Sequence, residues 1–238
     1  MRGKSELKYE GAAAKQTSSG LNRDYITQWS YGIGETFSLL VPNVKGGASV
    51  PLSRSEKAME KANPMYSSLY SQLTQYFGDQ PMTSGPVYVG AFVLMLFILG
   101  CFIVKGPMKW ALLGATIFSI LLSWGKNFMG LTDFFIDYIP MYNKFRAVSS
   151  ILVIAEFTIP LLAILTLKEI LTKPELLKEK LKYIYISFGL TGGLALLFAI
   201  APRLFFPTYI PGNEMAALQN ALPADQLSPI IALSLIHI

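Results

Sequence analysis

Four apolar runs, at residues 87–104, 110–124, 147–167 and 183–201, constrain this chain more than any other feature. A helix needs about 20 apolar residues, within a range of roughly 17–25, to cross the hydrocarbon core of a bilayer. Three runs meet that length. The second reaches it as 108–124, with Met108 and the tryptophans Trp110 and Trp124 placed at the interfaces. Glu156 is the single charge within the four runs. The expectation is an all-α, polytopic helical membrane protein with about four transmembrane helices.

Composition agrees. Of the 238 residues 52% are hydrophobic and 15% are charged, against about 25% charged in soluble domains. The hydrophobicity lies after residue 86, so the chain divides into a polar segment, 1–86, and a transmembrane region, 87–201. A tail follows at 202–232. The net charge of +5 brings no basic stripe or RNA-binding motif with it, which argues against nucleic acid as a partner. Lysines flanking membrane spans explain the excess. The final residues 233–238 read LSLIHI, the translation of a sequencing adapter, and are set aside as an artefact. His237, the only histidine, goes with them. One cysteine, Cys101, cannot build a zinc site, so no metal or other cofactor is evident and any need for a divalent metal stays open.

Loop charge orients the spans. Lys105 and Lys109 follow the first run and five lysines lie in 168–182, seven positive charges against the three of Lys126, Lys144 and Arg146 in the loop 125–146. Positive loops stay in the cytoplasm, so the N-terminal segment, the 125–146 loop and the C-terminus are expected outside. Nothing before residue 86 would direct its export, which suggests an upstream span and a chain that is an internal piece of a larger protein.

Coarse periodicity fills in the rest. The segment 1–86 reads as mostly helical beyond a loose stretch at 1–22. It has a partly helical 24–40, a charged helix at 53–62 and a helix from Pro64 with Met65, Leu69, Leu73 and Phe77 on one face. Phe128, Leu131, Phe135 and Tyr138 fall on one side of a helix at about 128–139, with Asp133 and Asp137 on the other, as in an amphipathic helix lying in the outer interface. Pro160 predicts a kink in the third span. Gly189 and Gly193 predict close helix packing in the fourth.

Few residues carry chemistry. Glu156 sits a little under halfway across its span, where a carboxylate is costly. It is either a proton, ion or substrate contact or a hydrogen-bonded structural residue. Arg146, with Lys144 beside it, suits a phosphate clamp. It equally suits an anchor snorkelling to headgroups, and the anchor is favoured on sequence alone. Asp133 and Asp137, four apart, could hold a metal or do acid–base work, but a solvated face is preferred. Trp29, Tyr31 and Phe37 could stack on a sugar, with loop packing as the plainer alternative. Gly32-Ile33-Gly34-Glu35 lacks the third glycine of a dinucleotide fingerprint.

The runs TQWSYGIGETFSLLVPNVKGGAS, YFGDQPMTSGPVYVGA and YIPMYNKFRAVSS together resemble the YfhO family of bacterial membrane proteins, up to about residue 232. That resemblance implies a GT-C-type glycosyltransferase fold in the bacterial cytoplasmic membrane. It implies a polyprenyl-phosphate-linked sugar donor and an envelope glycopolymer acceptor. It also implies that the catalytic carboxylate lies in a first outer loop upstream of Met1, so this piece would supply only the phosphate-binding cation. Phe145-Arg146 matches an FR element of the family, although Ala147 and Val148 follow where members continue with proline and a second arginine. Glu35, Trp29, Tyr31, Asp133 and Asp137 are then acceptor or sugar contacts. The alternatives are a non-catalytic scaffold or export protein of the envelope and, less favoured for want of an internal repeat, a secondary transporter using Glu156.

Overall fold

The computed structural model describes residues 21–60, 62–201, 205 and 219–220. Most of the segment 1–22, nearly all of the tail 202–232 and the whole of 233–238 lie outside the described residues. The described chain is helical, with two isolated β-bridges and no strand.

The segment before the apolar runs holds only short elements: α1 (Arg23–Ile26), a 3-10 turn Gly34–Leu39, α2 (Glu56–Met59) and α3 (Ser67–Tyr70). Asn22 caps α1 by accepting from the Asp24 amide, and Ser55 caps α2 through Ala58. The helices expected at 53–62 and from Pro64 to Phe77 do not extend. Each is one turn, Met65 is exposed, and Leu73 and Phe77 are buried by chain that has left the helix. Short helices are marginal without a packed face. Here Leu52 and Gln75 bond to neighbouring loop backbone instead (Leu52 N to Leu73 O 2.7 Å, Gln75 N to Val50 O 2.9 Å).

The apolar runs become α4 (Ala91–Ile103), α5 (Pro107–Ser123), α7 (Leu152–Thr172, led by a 3-10 turn Val148–Ile151) and the pair α9 (Leu181–Phe188) and α10 (Leu194–Ile200). Between them lie α6 (Met129–Tyr138) and the short α8 (Leu176–Glu179). Two of these, Val148–Thr172 and the continuous Leu181–Ile200, are long and apolar enough to cross a membrane. A third qualifies if α5 and the segment Gly125–Tyr138 are taken as one broken span, but they meet at 107°. α4, at 13 residues, is about 20 Å long and falls short of the expected first span.

α7 is the central helix and packs on both α4 and α5, while α9 lies against α4. The shared core is Leu99, Ile103, Leu112, Leu152, Ala155, Ile159 and Leu162. Close approach of α4 to α7 depends on Gly100, where a Cβ would collide with the Thr166 hydroxyl and meet Leu162 at 3.1 Å. Buried hydroxyls are satisfied locally or across the seam: Thr116 and Thr158 share a 2.7 Å bond between α5 and α7, and Thr166 donates to the Leu162 carbonyl. Lys109 reaches back to the Cys101 carbonyl at the end of α4, a favourable place for a cation.

α7 runs as a continuous helix with Pro160 inside it. The expectation of a close-packing glycine face is not met. Gly189 and Gly193 bracket a π-helical turn, Gly189–Gly193, and a Cβ on either would meet nothing within 4 Å, so they form no close-packing face among the described residues. Thr191 and Ser187 face inward there instead.

The connectivity puts the polar segment, the loop 125–146 and the far end of α10 together at one end of the bundle. Tyr31 N bonds Ser123 O, Ser149 N bonds Trp29 O, and the Phe37 ring stacks edge-on against Phe198 at 5.1 Å. The polar segment is therefore a cap seated on the helix ends.

Candidate functional site

The densest polar arrangement is where this cap meets the bundle. Glu35, only 3% exposed, stands in the Gly34–Leu39 turn. One carboxylate oxygen accepts from the Tyr76 hydroxyl, and the other from the amides of Gly32 and, at 3.3 Å, Asp79. The site closes only because Gly32 and Gly78 lack side chains. A Cβ on Gly78 would overlap the Glu35 carboxylate and Tyr76 hydroxyl, and one on Gly32 would come within 2.8 Å of Asp79 Oδ2.

Tyr76 passes the contact on, its oxygen accepting from the Gln80 amide. Asn127 ties the cap to the helix ends by donating to the Tyr31 carbonyl and to Asp79 Oδ2, both at 3.0 Å. Lys126 donates to the Asp79 carbonyl. Tyr31 belongs to the buried core shared with the bundle, and its hydroxyl shares a 2.6 Å bond with Ser38, which donates to the Val87 carbonyl.

Burial sets the protonation of these groups. It raises the Glu35 carboxyl above its usual range, outweighing the hydrogen bonds from Tyr76, Gly32 and Asp79 that favour the anion. Burial likewise pushes the Tyr31 phenol up to about 12 and raises Tyr76, with the Glu35 charge adding to both. A buried acid near an exposed carboxylate, Glu35 near Asp79, is a pattern that acid–base sites use. Here both Glu35 oxygens are engaged. The cavity beside them, lined by Tyr31, Glu35, Lys45, Tyr76, Gln80 and Thr83, holds about 10 Å³, space for one water. The arrangement is a latch between cap and bundle. Neither Tyr31, 2% exposed, nor Glu35 presents a free face to a sugar.

The other sequence candidates are at the same end but not in this latch. Arg23 of α1 forks onto Asp133 and Asp137 of α6, the second at 2.6 Å, so these carboxylates are neutralised by a guanidinium and hold α1 to α6. α6 buries Thr132 and Ile136 and turns Phe134 and Tyr138 outward. Phe135 bridges to Phe118 of α5 and to Tyr142.

Arg146 is exposed. It lies over the Tyr25 ring at 5.6 Å and donates one N–H to the Tyr25 hydroxyl at 2.7 Å. Lys144 is exposed nearby in the turn Tyr142–Lys144. Trp29 is half-buried under the start of α7. Glu156 lies on the outward face of α7. No group of three or more metal-ligating side chains occurs among the described residues.

Sequence reading missed the partners. Arg23, Tyr25, Tyr76, Asp79, Lys126 and Asn127 all lie in loops or single turns, where no periodicity marks which side chain faces which. Asp79 was within reach, because it sits between Gly78 and Gln80 just ahead of the first apolar run, where an acid must find a partner at the bundle end.

Comparison of the chain with family models, with curated proteins and with solved structures returns no match.

Proposed function

We propose that the chain is part of a membrane-embedded, GT-C-like glycosyltransferase that uses a polyprenyl-phosphate-linked sugar outside the cytoplasm for envelope glycosylation. It would lie in the bacterial cytoplasmic membrane with four spans, α4, α5, α7 and α9–α10, its cap and C-terminus outside. The observation that carries the reading is Arg146. Its guanidinium is steadied by Tyr25 with one donor used, and among the described residues no other partner meets its remaining donors. A guanidinium so held can grip a phosphate with two parallel hydrogen bonds and stabilise the leaving phosphate as the sugar departs. The resemblance through Phe145-Arg146 points the same way. The base that deprotonates the acceptor hydroxyl would come from outside this chain.

The test is sugar transfer from the lipid-linked donor by the full-length protein. Arg146→Ala should abolish transfer, Arg146→Lys should retain a small part of it, and Tyr25→Phe should leave most of it. Full activity in Arg146→Ala would remove the phosphate role. A second reading, a non-catalytic scaffold of the envelope, is favoured by the closed Glu35 latch, whose adjoining cavity has room for a water and not for a sugar. Unchanged glycosylation in cells carrying Arg146→Ala would support it.

A further inference from the structure

The last span is spaced for an unbroken α-helix and does not fold as one. Ile184, Ser187, Thr191, Leu194 and Phe198 follow one another at intervals of 3, 4, 3 and 4 residues, which keeps a stripe on one face of an α-helix. The structure divides that stripe. Ile184 packs on the core that α4 and α7 share, and Ser187 and Thr191 are buried on the turns that follow. Leu194 and Phe198 pack instead with Val44 and Phe77 of the cap, and Phe37 meets the Phe198 ring edge-on. Between the two groups stands the π-turn Gly189–Gly193. A single π-turn holds one residue more than the α-helical path, so it rotates the helix beyond it by about 100° relative to an unbroken helix. That rotation seats Phe198, 1% exposed, in the cap.

Two features keep the unbroken path open. A Cβ on Gly189 or Gly193 would meet nothing within 4 Å, so space does not require glycine there; glycine supplies a backbone with little commitment to either path. The Ser187 hydroxyl, fully buried, has no hydrogen-bond partner among the described residues, whereas Thr116, Thr158 and Thr166 in the same bundle are paired. A buried orphan marks packing that is not the fully satisfied one. We propose that the π-turn is a two-state joint between span and cap. In one state Phe198 is seated against Val44 and Phe77. In the other Leu181–Ile200 is a continuous α-helix, Leu194 and Phe198 swing into line with Ser187 and Thr191, and the cap loses its contact with α10. The joint is independent of sugar transfer and serves an enzyme or a scaffold equally.

Distances between spin labels test it on the full-length protein in nanodiscs, with Cys101→Ser as background. One label sits on the cap at the exposed Gln72→Cys and the other on α10 at the exposed Ala199→Cys. Rotation by about 100° moves a label on the helix surface by roughly 8 Å, so the parent should give two distance populations. Gln72→Cys paired with the exposed Tyr185→Cys, ahead of the π-turn, should give one. Deleting Gly193 removes the surplus residue while leaving both faces as they stand, and should keep only the population with Phe198 seated. Gly189→Ala with Gly193→Ala, and separately Phe198→Ala, should each enrich the other population several-fold. A single Gln72–Ala199 distance that no variant changes would overturn the proposal. So would two populations that survive deletion of Gly193, or that are seen equally from Tyr185.

Discussion

The cap and the bundle solve the same problem, holding short helical pieces in place, with opposite chemistry. In the bundle α4, α5 and α7 present continuous apolar faces, and specificity comes from small features such as the Gly100 notch and the Thr116–Thr158 bond. Within lipid such packing depends on shape, because the alternative environment is equally apolar. The cap has helices of a single turn, and it buries side chains such as Leu52, Tyr70 and Leu73 from single turns and irregular backbone rather than from a continuous helical face. Directed bonds converging on Glu35, Tyr76 and Asp79, and two bonds from Asn127, add fixed partners to that packing. A packed face tolerates sliding; a network in which each acceptor has a named donor does not.

The largest effect that separates the two regions should come from adding bulk at each one's closest approach. Gly78→Val drives a side chain into the Glu35 carboxylate and Tyr76 hydroxyl. Overpacking costs roughly 1–3 kcal/mol, and breaking a buried network adds to it. Limited proteolysis of the protein in detergent or nanodiscs should then show the chain before residue 86 cut at least tenfold faster, while the bundle stays resistant. Gly100→Leu should do the reverse, splitting α4 from α7 and lowering the melting temperature of the whole. If Gly78→Val unfolded the bundle as well, cap and helices would be one cooperative unit and the contrast would fail.

A smaller effect, confined to the cap, should follow pH. The Glu35 carboxyl titrates above its ordinary value in the folded protein because burial disfavours its charge. The folded state therefore holds a proton that the unfolded chain has released. The stability this confers is complete below about pH 4.5, the ordinary value, and is lost as pH rises through the raised folded value. Amide exchange of the cap should accelerate on raising the pH across that window, after correction for intrinsic exchange. Glu35→Gln keeps the volume but turns one acceptor into a donor against Tyr76 or the amides, at a cost of about 1–3 kcal/mol, and should make the corrected exchange independent of pH. A wild-type cap equally protected across the window would show that Glu35 is ionised throughout.

The contrast also explains what could be read from the sequence. The bundle was legible because each helix is a long run of one character: the runs at 110–124 and 183–201 match α5 and α9–α10 to within a few residues. The third run differs because α7 extends through Lys168 and Glu169 to Thr172, charges that a helix leaving the apolar layer can carry on exposed turns. A helix stands at Met129–Tyr138, close to the expected bounds, but it buries Thr132 and Ile136 and leaves Phe128 and Tyr138 of the expected apolar face exposed. The cap was not legible. Met65, Leu69, Leu73 and Phe77 do recur at helical spacing, yet the chain turns out of the helix after Tyr70 and buries Leu73 and Phe77 from irregular backbone. Periodicity reports a helix only where the helix can bury its stripe, and here tertiary bonds to Leu73 O and Gln75 N prevail. The candidate residues divide the same way. Arg146, just before α7, is exposed, whereas the burial of Tyr31 and Glu35 depends on chain distant in sequence.

The smallest effect should come from the Arg23 fork between the cap and α6. Arg23 bridges Asp133 and Asp137, but its side chain is a quarter exposed and the two carboxylates are more than two-fifths exposed. Solvent screening holds such pairs to about 0–1 kcal/mol. Arg23→Ala should therefore leave the melting temperature nearly unchanged while loosening α1 from α6. A distance between spin labels at Gln28 and Gly130 should broaden its distribution without shifting the mean. Adding salt should produce part of the same broadening in the parent, because ions screen exposed charges within about 10 Å at 0.1 M. A loss of several degrees in Arg23→Ala would mean that this fork, rather than the Glu35 latch, seats the cap. The pair of acidic residues on α6 would then be a principal joint of the molecule, and Asp133→Asn with Asp137→Asn should reproduce the loss.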